Sequence, residues 1–295
     1  MKQFFLDFLH IYFPQIYIRV KHLIVLRKKG CFSPPKTLPE KLLWLSITDY
    51  WDNEVIKTLE DKFRVRAYLE EKGYGSLLTN LIGSWNNVDD IRWEDLPASY
   101  AMKLNVGSGC NIICHNNNIN VESAKDEIRK WMKKQPLRDQ INADGKNVEK
   151  VIVCEEYIGD VQGNTPIDYK FYCFNGKPKA ILVIWDRYEE KKAAFMDCNW
   201  NLICDMSKKN KRYSEIDVAP QKPKCLAEMV NIASKLCENF PFVRVDLYEY
   251  FGKPKFGEFT FFPGDCAGVS ETDVDGITMG QMLQIKKETN IGFNI

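Results

Sequence analysis

Stretches with helical spacing alternate along this chain with stretches that read as strands. Residues 38 to about 80 read as helical, 53–72 among them, after a proline-rich connection that starts at Ser33-Pro34-Pro35 and ends at Pro39. From 98 to 119 the pattern changes to short apolar runs on either side of Gly107-Ser108-Gly109, which predict two strands and a tight loop. Residues 121–134 predict an amphipathic helix that buries Trp131 and Met132. Residues 151–154 predict a buried strand that runs into Glu155-Glu156-Tyr157-Ile158. Strands at 169–174 and 179–185 flank Asn175-Gly176, a pair that tolerates the positive φ of a hairpin turn. A helix over 226–239 then leads to the most informative segment.

In that segment, 242–248 alternate with the strand period: Val243, Val245 and Leu247 share one face, Arg244 and Asp246 the other. The chain turns around Gly252, and in 255–262 Phe259 and Phe261 lie on one face, Glu258 and Thr260 on the opposite one. Centring the hairpin on Gly252 sets Asp246 against Glu258 and Arg244 against Thr260. Like charges directly opposite cost a few tenths to ~1 kcal/mol in an exposed sheet, so something must compensate. Two compensations are open. A divalent cation such as Mg²⁺ takes oxygen ligands from one or two carboxylates and completes its shell with water and phosphate. Alternatively, Arg244 neutralises both acids as an ion-pair cluster.

The rest of the composition narrows the chemistry without naming it. A chain of 295 residues with 45% hydrophobic content can bury two compact lobes. Its 41 basic and 40 acidic residues leave a net charge of +1, so no global field points to nucleic acid, and phosphate chemistry must be local. Ten cysteines are scattered from Cys31 to Cys266, as reduced cytosolic thiols would be. Cys110, Cys114 and His115 lack a second ligand pair at zinc spacing. Residues 1–29 are apolar and aromatic but interrupted by Asp7, Pro14, Arg19, Lys21 and the run Arg27-Lys28-Lys29, and the longest uncharged run, 8–18, is too short to span a bilayer. This segment reads as a helix docked on its own domain, with a surface-bound membrane helix as the second reading. Residues 208–212 read as a solvated basic loop with no aromatic partner for stacking.

On the phosphate side, Lys103 precedes Gly107-Ser108-Gly109, where bare backbone amides can approach phosphate oxygens and a lysine can reach the same anion. No Gly-Lys-Ser/Thr closes the loop, so it is not a Walker motif. Residues 155–158 offer backbone groups for a base and carboxylates for ribose, and equally suit a strand emerging into solvent.

Taken in order, Glu60-Asp61-Lys62, Lys103 with its glycine loop, Glu155-Glu156-Tyr157-Ile158, Arg244-Val245-Asp246 and Glu258-Phe259-Thr260 resemble the ATP-grasp fold. More narrowly, Asp168-Tyr169-Lys170-Phe171-Tyr172-Cys173-Phe174-Asn175-Gly176-Lys177-Pro178 and the Arg244–Thr260 hairpin resemble the TupA-like branch, associated with bacterial surface-polysaccharide and teichuronopeptide assembly. The likeness spans roughly residues 38–283. It implies an α+β fold in which two lobes clasp ATP, with a reduced helical amino-terminal region where many relatives have a Rossmann-like domain. The corresponding divisions are 1–37, a helical pre-grasp region over 38–97, a small lobe over 98–158 and a large lobe over 159–295.

By the same resemblance, Lys62 and Lys103 contact ATP phosphates, with Lys103 bridging towards the adenine pocket; Gly107, Ser108 and Gly109 form a flap over the triphosphate, and Lys170 is a further cofactor-binding residue. Glu155, Glu156, Tyr157 and Ile158 hold adenine, chiefly through backbone. Asp168 is the ribose-binding acid, ahead of Asp160. Asp246, Glu258 and Thr260 hold Mg²⁺, while Arg244 and Lys103 stabilise phosphoryl transfer. Thr260 stands where many ATP-grasp enzymes have Asn. The implied reaction is carboxylate activation to an acyl phosphate followed by capture with an amine. The implied partners are a uronic acid or other sugar carboxylate and an amino acid or amino alcohol, with the protein cytoplasmic or peripheral at the inner membrane face. The rivals are a kinase acting on a glycan hydroxyl and a non-catalytic nucleotide-binding scaffold.

Overall fold

The computed structural model describes residues 35–50, 53–133, 149–159, 165–186, 190–266, 269, 271–274 and 276–285, together with 8, 9, 12, 13, 16 and 20. Most of residues 1–34, and Asp160, lie outside the described residues.

Helix α1 (Leu38–Ile47) starts where Thr37 and Glu40 cap each other's backbone reciprocally, with a proline in the first turn. The stretch 53–72, expected to be one helix, is two: α2 (Glu54–Glu60), capped by Asn53, and α3 (Arg64–Glu71). The break falls at Asp61. Asp61 is extended, and its Oδ1 accepts from the amides of Phe63 and Arg64 at 2.8 and 3.0 Å while Oδ2 accepts from Asn105 Nδ2 at 2.8 Å. A buried tertiary bond thus overrides a continuous helical pattern. The helical reading also fails beyond residue 72, where a single 3-10 turn, Gly75–Leu77, leads into strand β1 (Leu81–Trp85).

Two antiparallel sheets follow. The first contains β1, β2 (Tyr100–Leu104), β3 (Asn111–Cys114) and β4 (Ile152–Glu156) in the order β1-β4-β2-β3. Strand β1 belongs to this sheet, so the small lobe begins before residue 98. Helix α4 (Val121–Lys133) covers it, and Ile128, Trp131, Met102, Ile152 and Cys154 share its core. The second sheet contains β5 (Asp168–Phe174), β6 (Lys177–Trp185), β7 (Lys192–Met196), β8 (Leu202–Asp205), β9 (Phe242–Tyr250) and β10 (Lys253–Thr260) in the order β10-β9-β5-β6-β7-β8. Its larger core joins Phe171, Val243, Val245, Phe259 and Phe261 to α5 (Leu226–Leu236) and to Leu42, Ile56, Leu59, Val65 and Leu69 from α1 to α3. Two separate cores make two lobes, and α3 packs with the large one.

After β10 the chain returns to α1 through the short strands β11 (Asp273–Val274) and β12 (Ile277–Thr278) and helix α6 (Met279–Met282). Glu271 fastens this return by accepting from the amides of Leu38 and Gly280 at 2.6 and 2.5 Å. Near the amino terminus, Leu9 joins the large core and Val20 packs against it, while Phe8, Tyr12, Phe13 and Ile16 are exposed. Among the described residues no helix is long and apolar enough to cross a membrane. The basic loop at 208–212 does find an aromatic partner: the Arg212 guanidinium lies 4.7 Å from the Tyr213 ring centre and donates to its hydroxyl at 2.6 Å.

The β9–β10 hairpin reaches the expected pairing by an unexpected route. Its turn is the two-residue pair Phe251-Gly252, with φ of 50° and 72°, which places Tyr248 opposite Lys255 and Leu247 opposite Phe256. Continued without interruption, that register would set Asp246 against Gly257. A β-bulge between Phe256 and Glu258 moves the strand on by one, so Glu258 faces Asp246 and Thr260 faces Arg244.

Candidate active site

The polar face of the large sheet carries two cross-strand rows. Lys170 on β5, Asp246 on β9 and Glu258 on β10 form one; Tyr172, Arg244 and Thr260 form the next. Side chains alternate along each strand, so all six lie on the same face. Arg244 grips Asp246 with two bonds, Nε to Oδ1 and Nη2 to Oδ2, both 2.7 Å. Its Nη2 also reaches Glu258 Oε1 at 3.2 Å and Thr260 Oγ1 at 2.9 Å. Lys170 Nζ donates to Asp246 Oδ2 and lies 3.5 Å from Asp168 Oδ1. Lys62 approaches from the segment between α2 and α3, with Nζ 3.9 Å from Glu258 Oε2.

Asp246 is 1% exposed whereas the Glu258 side chain is 38% exposed. Withdrawal from water opposes ionisation of Glu258, but Lys62, Lys170, Arg244 and Lys103 outweigh it and hold the carboxyl down at about 2. Arg244 behaves in the same sense: burial favours its neutral form, and Asp246 leads the charges that keep it firmly protonated. Burial pushes the Tyr172 hydroxyl up.

The small lobe presents a second charged group. Lys103 Nζ on β2 donates to Glu155 Oε2 at 2.8 Å, and Arg66 Nη1 from α3 donates to Glu155 Oε1 at 2.7 Å. Burial would raise the Glu155 carboxyl, but Lys103 and Arg66 hold it below the ordinary carboxylate range. The glycine loop connects β2 and β3, with Gly107 and Gly109 at φ of 85° and 77°, a region that favours residues without a Cβ. Lys62 Nζ donates to the Gly107 carbonyl at 2.8 Å, so one lysine touches both the loop and the acid row. A small cleft between the lobes is lined by Lys62, Arg66, Lys103 and Glu155 together with Phe256 and Gly257. At Gly257, the bulge residue, a Cβ would come within 2.8 Å of the Tyr248 ring and 3.1 Å of the Asp246 carbonyl.

The donor set suits Mg²⁺ held in the manner of nucleotide sites. Carboxylate oxygens of Asp246 and Glu258 meet from adjacent strands; Arg244 and Lys170 bond both Asp246 oxygens, so Glu258, with 38% of its side chain exposed, is the acid of the pair that a cation can reach from solvent. Among the described residues no group of three or more His, Cys, Asp and Glu gathers, so phosphate and water must supply the other ligands.

Seven of the residues expected at the site lie near one another: Lys62, Lys103, Lys170, Arg244, Asp246, Glu258 and Thr260. Three expectations need revision. Asp168 is 1% exposed and lies 3.5 Å from Lys170, so its carboxylate is buried against that lysine and is not presented at a surface where a ribose could reach it. Glu155 is 8% exposed between two cations and Glu156 bonds Asn80, so both carboxylates are already engaged by protein partners. Both residues also lie within strand β4, between β1 and β2, whereas Tyr157 and Ile158 lie just past the strand end. The Thr260 hydroxyl accepts from Arg244 and donates to Glu258 at 3.4 Å, which makes it a support for both. Sequence reasoning missed Arg66 and Gly257. Arg66 looks like any solvated helix arginine, but Gly257 carried a signal, since glycine inside a strand marks a bulge.

The two-lobed α+β architecture and this site define an ATP-grasp protein. A family model described as TupA-like ATPgrasp matches residues 40–283, and the chain belongs to that family. No curated protein matches it in sequence. Among solved structures it is similar to D-alanine–D-alanine ligase from Bacillus anthracis, at 21% identity and a TM-score of 0.41 over 70% of this chain and 58% of that one. It is also similar to the ATP-grasp ligase PsnB complexed with minimal precursor, at 12% identity and 0.39 over 77% and 60%. A third is phosphoribosylamine–glycine ligase from Thermotoga maritima, at 14% and 0.38 over 69% and 48%. The chain therefore spans between 48% and 60% of the length of these three proteins.

Proposed function

We propose that this protein is an ATP- and Mg²⁺-dependent carbon–nitrogen ligase that activates a carboxylate as an acyl phosphate and joins it to an amine. The observation that carries the reading is the row Lys170–Asp246–Glu258 beside Arg244, with Lys62 reaching Glu258 at 3.9 Å and Lys103 lining the same cleft as Lys62. It is a cation-rich, partly dry surface with two acids at its centre, the arrangement that stabilises negative charge on a transferring phosphoryl group.

In this reading Tyr157 and Ile158 position adenine, and Lys103, Lys62 and Lys170 bind the phosphates. Asp246 and Glu258 hold Mg²⁺, which neutralises charge on the terminal phosphates when bound. Arg244 is fixed by Asp246 and Thr260 so that its charge is already in place when the substrate carboxylate attacks the γ-phosphorus. That step forms the acyl phosphate and expels ADP. Attack of the amine on the activated carbonyl then expels inorganic phosphate, and the amine proton passes to solvent. The glycine loop, in contact with Lys62, excludes water from the intermediate. The family resemblance supports a sugar carboxylate as acceptor, an amino acid or amino alcohol as donor, and a cytoplasmic role in bacterial surface-polysaccharide synthesis, with the amino-terminal segment as a peripheral contact.

ADP release measured against panels of uronic acids and amines tests the reading. Release that requires both partners is the expected outcome. Release with a sugar alcohol alone would instead make the protein a kinase, and nucleotide binding without turnover would make it a scaffold.

A further inference from the structure

The two lobes have separate hydrophobic cores, and the nucleotide cleft lies between them, so something must set their spacing. We infer that Arg66 is a positioning residue: it is a strut from the large lobe that fixes Lys103 of the small lobe at nucleotide-binding distance from the acid row. The inference rests on the proposed nucleotide site but not on the identity of the reaction.

Arg66 sits on α3, whose neighbouring side chains Val65 and Leu69 belong to the large core at 3% and 0% exposure. Its guanidinium leaves that core and divides between the small lobe and the connection that runs from Leu78 of the large core into β1. Nη1 donates to Glu155 Oε1 on β4 and Nη2 to the Thr79 carbonyl just before β1, each at 2.7 Å. Glu155 passes the constraint on, since its second oxygen accepts from Lys103 Nζ at 2.8 Å. Arg66 and Glu155 are 12% and 11% exposed at the side chain, so the bond is shielded from salt and water; Lys103, at 29%, retains donors facing the cleft. A lysine at position 66 has a single nitrogen and lacks the fork that serves Glu155 and Thr79 together. Among the described residues other cross-lobe ties include Lys62 Nζ to the Gly107 carbonyl and Asn105 Nδ2 to Asp61 Oδ2, both 2.8 Å, but of these ties only that of Arg66 engages the carboxylate that holds Lys103.

The test uses the full chain with a non-hydrolysable ATP analogue and Mg²⁺ in calorimetry, together with small-angle scattering of the ligand-free protein. Arg66→Met is expected to weaken nucleotide binding by on the order of tenfold or more, the scale seen when the support behind a contacting group is removed. It should also enlarge the radius of gyration. Arg66→Lys should recover part of the affinity, and Glu155→Gln should reproduce the loss with Arg66 intact. In a double variant the two losses should fall short of adding, because both break one chain of contacts. Wild-type affinity and unchanged scattering in Arg66→Met would overturn the strut, as would fully additive losses in the double variant. Failure of the ligase reading looks different: the wild-type protein would bind the analogue and show no carboxylate- and amine-dependent turnover.

Discussion

The buried acid row predicts that Asp246→Asn destabilises the protein far more than Glu258→Gln, although the two acids sit opposite each other on adjacent strands. Asp246 is 1% exposed and takes two 2.7 Å bonds from Arg244 as well as a donor from Lys170. Asparagine preserves its shape but removes the charge and turns an NH₂ group towards one of those cations. Deleting one partner of a buried pair costs about 3–5 kcal/mol because the other charge stays buried and unpaired. Arg244 keeps Glu258 and Thr260, and Lys170 keeps Asp168, which places the cost near the lower end, about 3 kcal/mol. At about 2–4 °C per kcal/mol for a chain of 150–250 residues, that corresponds to a fall in Tm of roughly 6–12 °C. Glu258 is 38% exposed, and pairs in contact with water contribute ~0–1 kcal/mol, so Glu258→Gln should melt within about 3 °C of wild type. Thermal unfolding of both variants without nucleotide or Mg²⁺ measures the contrast. Equal melting of Asp246→Asn and wild type would refute the reasoning, and so would a loss in Glu258→Gln as large as in Asp246→Asn.

Three further tests follow from the same geometry. Gly257→Val should cost about 1–3 kcal/mol by overpacking against the Tyr248 ring and the Asp246 carbonyl, and should weaken nucleotide binding by disturbing the Glu258–Asp246 register; unaltered unfolding and affinity would show that the bulge tolerates a side chain. Because the surrounding cations depress the Glu258 carboxyl to about 2, its contribution to stability is whole above the ordinary glutamate value of ~4.3 and is lost as pH falls from there towards 2. The Tm difference between wild type and Glu258→Gln should therefore be constant from pH 7 to 5 and shrink below that; a difference that stays constant down to pH 2.5 would contradict the depressed value. Finally, ADP release that needs both a carboxylate and an amine separates the ligase from its kinase and scaffold rivals.

The sequence by itself determined the elements whose cause is local. The alternation of 242–248 and 255–262, the Asn175-Gly176 turn with φ of 48° and 75°, and the helices at Val121–Lys133 and Leu226–Leu236 follow from side-chain periodicity and turn chemistry. The same periodicity put Arg244, Asp246, Glu258 and Thr260 on one face, and the order of motifs pointed to the ATP-grasp fold. Tertiary structure decided what depends on distant partners. Asp61 breaks the helical stretch because Asn105, distant in sequence, supplies its hydrogen bond, and the hairpin pairs its acids only because a bulge at Gly257 offsets a two-residue turn. Whether a charged side chain meets ligand or another side chain is likewise invisible in one dimension: Asp168 and Glu155 are buried against Lys170 and Arg66, and Arg66 crosses between lobes. Periodicity reports which face a residue occupies, whereas an ion pair's geometry is set by how separately folded layers are brought together.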